Sequence, residues 1–159
     1  HVVPDHCFKQ PGDNGAYYPG GIKHADGLCI CVEGATKSTG VNGQSVKKGK
    51  NSITNHFQAL AQHGQIHLLM DAAEAALGAL GNPKGSSSLG NLEKAGASAA
   101  AKVSGCDEKE LEKQLRDFHQ SKGLSASTKF RADPFGKITN LDATIMGKSA
   151  QGTGGSGRS

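Results

Sequence analysis

Three of the chain's seven histidines, His56, His63 and His67, lie in its least turn-rich stretch, NSITNHFQALAQHGQIHLLMDAAEAALGAL at 51–80. An α-helix turns about 100° per residue. With His56 at zero, His63 falls near about −20°, His67 near about +20° and Glu74 back at about 0° on that rotation. All four then share one stripe bordering the apolar face. His63 and His67 are four apart, the spacing at which two imidazoles hold one zinc or copper ion from one helix face. Half-buried histidines at a core edge show the same spacing. Gly64 between the two favours this plainer role, because a helix weakened there holds ligand spacing poorly. No glutamate follows His63 as in the zincin pattern.

His1 is a second metal candidate. An N-terminal histidine offers amine and ring to one copper ion, and a further histidine completes a three-nitrogen brace. In that one residue the chain resembles lytic polysaccharide monooxygenases; its length, cysteine pattern and few aromatics differ. Hydrolytic or ribonucleolytic chemistry needs a base, an acid and a positive group around a cleft. The histidines, Glu33 and the Lys/Arg residues supply the parts, but GxSxG, HExxH and a Cys-plus-His nucleophile signature are absent. VNGQSVKKGKNS is only a loose echo of a phosphate loop. Tyr17 and Tyr18, ahead of Pro19-Gly20-Gly21, read first as packing; exposed, the pair would suit a carbohydrate or protein contact. Lys47, Lys48 and Lys50 form a cationic cluster whose default is a solvated turn and whose alternative is a partner or anion contact.

The positioning elements follow from periodicity. Residues 51–80 read as one long helix, capped by Asn51 or Ser52 and stopped by Gly81-Asn82-Pro83. Its expected apolar face is Ile53, Phe57, Leu60, Ala61, Leu68, Ala72 and Ala75, and Gly64 bends or splits it. LCICV at 28–32 alternates as a strand with both cysteines on one face. A second helix is predicted over 108–122 with Asp107 as cap and Leu111, Leu115, Phe118 and His119 as its stripe. Residues 91–103 predict a weak alanine-rich helix, broken near Gly96 or ended at Gly105. Short strands are expected at 128–132 and 137–141, closing a sheet with 28–32. Residues 1–27 read as loop-rich, 84–90 (KGSSSLG) as a flexible linker and 151–159 as a disordered tail, leaving one domain over 1–150.

Bulk properties bound the rest. With no Trp, five Phe, two Tyr and 23 Gly in 159 residues, the core is small and needs reinforcement. Four cysteines, Cys7, Cys29, Cys31 and Cys106, suggest two disulfides and an oxidising compartment. Cys29 and Cys31 are too divergent on a strand to bond each other, so one pairs with Cys7 and the other with Cys106. Their spacing does not suit a zinc knuckle. The chain shows no signal peptide and no apolar run long enough for a membrane helix, and its start at His1 fits a processed N-terminus. A formal charge of +4 is too small to assign a specific nucleic-acid partner.

A loop cysteine, the Cys29-Ile30-Cys31 strand, a polar connection and a helix opening at Ile53-Thr54 together resemble small secreted fungal effectors and smut-type killer toxins. The likeness covers residues 7 to 70; where those families place a helix cysteine pair, this chain has His56-Phe57. It implies a secreted, disulfide-stapled α/β sandwich and carries over no functional residue. The expected fold is therefore α+β: a small antiparallel sheet against one long bent helix and a second helix, with two disulfides. The expected function is a secreted non-catalytic interaction protein of effector or toxin-like type, without cofactor, acting on a protein or cell-surface target. The alternative is a secreted zinc- or copper-dependent enzyme using His1, His56, His63, His67 and Glu74.

Overall fold

The stretch read as one helix is two: α1 (Ile53–Ala59) and α2 (Gln62–Leu80). These elements belong to a computed structural model that describes residues 1–12, 15–47 and 53–148, with Ile53 described by its backbone alone. The proposed caps Asn51 and Ser52, the cationic residues Lys48 and Lys50, and the tail 151–159 lie outside the described residues. The break falls at Leu60-Ala61, not at Gly64. Residues 39–41 reach into the gap: Ala61 N–H donates to Thr39 O at 2.9 Å and Val41 N–H to Ala59 O at 3.0 Å. Ala61 is thereby held extended, with ψ of 170°. Backbone bonds from a distant loop stop the ladder where the local sequence would carry it on.

The face that α2 buries also differs from expectation. Its buried residues are Gly64, Ile66, Met70, Glu74 and Gly78, a stripe at four-residue spacing from 66 to 78. Leu68 and Ala75 are half-buried and Ala72 is exposed. What decides the face is close approach. A Cβ at Gly78 would stand 1.9 Å from Ala132 O, so glycine lets the helix lie directly on the strand backbone.

The sheet is small and antiparallel. β1 (Ser86–Ser88) pairs with β2 (Lys129–Arg131), Ser87 opposite Phe130. β2 was expected; β1 was not. The supposed linker 84–90 is the central element of the fold, with Ser86 and Ser87 buried and Leu89 already opening α3 (Leu89–Ser104). Ser88 caps α3 by accepting from Asn91 N–H, and Gly105, at φ +75°, ends it. Gly96 does not break α3; it faces the Val2 carbonyl. α4 (Glu108–Ser121) starts at the expected Asp107 cap, which accepts from Glu110 N–H, and buries Leu115 and His119. The α+β class therefore holds, with four helices and two strands described in place of two helices and a larger sheet.

Residues 28–32 form no strand and do not join the sheet, although their burial keeps the expected alternation. Leu28, Ile30 and Val32 turn toward the core, while Cys29 and Cys31 are exposed. Residues 137–141 form no strand; their start is held by Asp133, whose carboxylate accepts from the Lys137 and Ile138 amides. The core lies between α2, α3, α4 and β2 and is closed by the N-terminal segment. Phe8 meets Phe130 edge-on at 4.9 Å, and Tyr18, 1 % exposed, packs on the same ring.

All four cysteines are free and none is within disulfide distance of another. The expected two disulfides are therefore absent. Outward-facing Cys29 and Cys31 cannot meet Cys7, buried on the inner side of the 3-10 turn Asp5–Phe8, and Cys106 is exposed between α3 and α4. Between α3 and α4 the buried Glu93 carboxylate serves two donors instead. Glu93 on α3 accepts from His119 Nδ1 at 2.7 Å and pairs with Arg116 at 3.1 Å, both from α4.

Candidate functional site

The N-terminus of α2 is fastened to the loop at 33–34 by three bonds. Glu33 N–H donates to Gln62 Oε1 at 3.0 Å, His63 N–H to Glu33 O at 2.9 Å, and His63 Nδ1 to Gly34 O at 2.9 Å. Gly34 has φ +101°, and a Cβ there would come within 3.0 Å of the Ala61 methyl. Only glycine fits that turn, and the turn aims the carbonyl at the imidazole.

One helical turn on, the His67 ring lies against that of His63, tilted by 35° with ring centroids 5.1 Å apart. Both edge a pocket of about 310 Å³ whose wall also includes His1, Cys31 and the apolar side chains Val2, Ile30, Ile66 and Met70. His67 is also shared with a neighbouring pocket of about 210 Å³ that holds Lys37, His56 and Asp71. Burial first, then the nearby His63 and Lys37, lower the His67 pKa from 6.5 to about 4. The ring is neutral at physiological pH.

Behind the pocket, on the buried stripe, Glu74 is fully enclosed and accepts from His6 Nε2 at 2.7 and 2.9 Å. Cys7 lies against the same carboxylate: one donor atom each from His6, Cys7 and Glu74 lies within 4.8 Å of the other two. Burial, then the Glu74 charge, push the Cys7 thiol well above its usual pKa, so it is no ready nucleophile. Asp71, between the two regions, is raised by burial and by Glu74.

Of the residues proposed from sequence, His1, His63 and His67 thus share one pocket. His56 stands on α1 and lines only the neighbouring pocket with His67; Glu74 is internal and turned to His6. His1 is pinned by its own contacts, donating from Nε2 to His24 O at 2.7 Å. Tyr17 and Tyr18 pack: Tyr17 OH donates to Asp5 at 2.7 Å and Tyr18 is buried, so neither forms an exposed aromatic pair. Lys47 is exposed on the long connection.

The role of His6 was missed. A signal for it existed, since Glu74 stands at four-residue spacing from Ile66 and Met70, and an acid inside a buried stripe demands a partner. Nothing local says that the partner comes from residue 6. Compared with family models, curated proteins and solved structures, the chain matches none.

Proposed function

We propose that the protein is a metal-dependent hydrolytic enzyme, with His63 and His67 holding zinc or a similar divalent ion in the pocket under residues 30–34. The bond from His63 Nδ1 to Gly34 O carries this reading. A carbonyl only accepts, so Nδ1 bears a proton, and in the neutral ring Nε2 keeps its lone pair. Metal-binding histidines are oriented by this kind of bond. Gly64 does not loosen the spacing, because the loop fixes the first turn of α2 from outside. His1 edges the same pocket but is held by its bond to His24 O, and its donor atoms do not converge with those of His63 and His67. Bound zinc would lower the pKa of its water to about 7 and make it a nucleophile. Lys37, next to His67, favours an anionic substrate such as a phosphoester.

The test is metal content and phosphodiesterase activity on a chromogenic diester, using untagged protein stripped by chelator and reloaded with zinc. Activity should return with zinc and be lost in His63→Gln/His67→Gln. Unchanged activity in that double variant, or no zinc uptake, refutes the reading. The second reading, a secreted non-catalytic interaction protein of effector or toxin-like type, draws its support from the exposed apolar side chains Val41, Leu80, Phe135 and Ile145. Under it the double variant retains function and a protein or cell-surface target is the partner.

A further inference from the structure

A second cluster of metal-binding side chains lies outside the pocket, and it is closed rather than open. Among the described residues, His6, Cys7 and Glu74 are the only group of three or more whose donor atoms converge within 4.8 Å. They offer nitrogen, sulfur and oxygen, a set suited to borderline divalent ions such as Zn²⁺ and Co²⁺. Around tetrahedral zinc such donors stand about 3.3–3.6 Å apart, given bonds of about 2.0 Å to nitrogen or oxygen and 2.3 Å to sulfur. His6 and Glu74, at 2.7 Å, need only part slightly to admit an ion. The neighbouring thiol needs only to close in.

Charge favours occupancy. A carboxylate that is 0 % exposed is costly to bury with one imidazole as its partner. A dication with one thiolate and one carboxylate makes a neutral set. The binding step balances as Cys7 S–H plus M²⁺ giving Cys7 S–M plus one released proton. In the neutral His6 ring the proton that Nε2 donates to Glu74 moves to Nδ1 through solvent and frees Nε2 to bind. His6, with a side chain 32 % exposed, provides the entry path, and water would complete the set as fourth ligand.

We infer that His6, Cys7 and Glu74 form a structural divalent-metal site that fastens the N-terminal turn to the middle of α2. The inference does not depend on the enzymatic reading, and its test separates the two. The probe is Co²⁺, titrated into the full chain carrying Cys29→Ser, Cys31→Ser and Cys106→Ser, which leaves Cys7 as the only thiol. One equivalent should produce a near-ultraviolet thiolate-to-cobalt charge-transfer band, which Zn²⁺ then abolishes. The band should persist in His63→Gln/His67→Gln, since that pair contributes no sulfur. It should vanish on adding Cys7→Ser and require at least tenfold more Co²⁺ on adding Glu74→Gln. Absence of the band in the parent variant, where the site itself is untouched, overturns the proposal. So does a band that survives Cys7→Ser.

Discussion

Replacing Glu93 tests what holds α3 to α4 now that no disulfide does. Its side chain is 2 % exposed and serves two donors on α4: His119 Nδ1 at 2.7 Å, itself buried, and Arg116 at 3.1 Å. Arg116 also donates to the Leu124 carbonyl, so the guanidinium spans helix and following turn. Glu93→Ala leaves an imidazole and a guanidinium in the interface without their acceptor. Breaking a buried pair by removing one partner costs about 3–5 kcal/mol. Arg116 is 25 % exposed and recovers some hydration, which places the expectation near the lower end, about 3 kcal/mol. Glu93→Gln keeps an oxygen for His119 and loses the charge; the difference between a charged and a neutral hydrogen bond sets its cost at about 1–2 kcal/mol. Urea unfolding followed by far-ultraviolet circular dichroism measures both, with a constant m-value as the check on comparability. A Glu93→Ala protein within about 1 kcal/mol of wild type would mean that water replaces the lost acceptor and that the pair is not what joins the helices.

Two further outcomes are expected. Gly78→Ala places a methyl 1.9 Å from Ala132 O and should destabilise by about 1–3 kcal/mol in thermal or urea unfolding; a neutral result would show α2 free to move off β2. Under native, non-reducing conditions Cys29, Cys31 and Cys106 should alkylate rapidly and Cys7 only on unfolding; mass spectrometry that finds any of the three exposed thiols blocked as a disulfide would contradict the fold's cysteine geometry.

What the sequence revealed and what it hid follow one division. α4 was legible to within a residue, because Asp107, the acidic first turn and the stripe through Leu115 and His119 are all local signals. Of the two stops offered for α3, Gly105 is the one used, and the strand at 129–131 was legible from local signals. KGSSSLG was misread because three small polar residues look like a linker, yet Ser86 and Ser87 are buried where β1 meets α2 and β2. A Cβ at Gly81 would stand 1.9 Å from Ser86 O, so the backbone after α2 lies directly against the start of β1. The cysteines were misread because an even count carries no direction. Alternation at 28–32 was read correctly, but the cysteine face points to solvent. At the site, the four-residue spacing of His63 and His67 was visible. The loop that orients His63 was not, since Gly34 lies 29 residues earlier in the chain.

Fold and site are therefore parts of one arrangement around α2. Its buried stripe presents Ile66, Met70 and Glu74, and the first two also form the floor of the histidine pocket. Val2 completes the floor from the other side, and its carbonyl lies where a Cβ on Gly96 of α3 would come within 2.4 Å. Its amide is held by Leu28 O at 3.0 Å, next to the run whose Ile30 and Val32 line the same pocket. A side chain at Gly96 would push Val2 outward, and with it the pocket floor, with no change to any histidine. The imidazoles owe their positions to α2 and the 33–34 turn, whereas the space in front of them is set by how closely the N-terminal segment lies on α3. Under the proposed enzymatic reading, loss of activity in Gly96→Ala with metal binding retained would distinguish those two contributions, because ligand spacing and substrate space would then be built by different contacts.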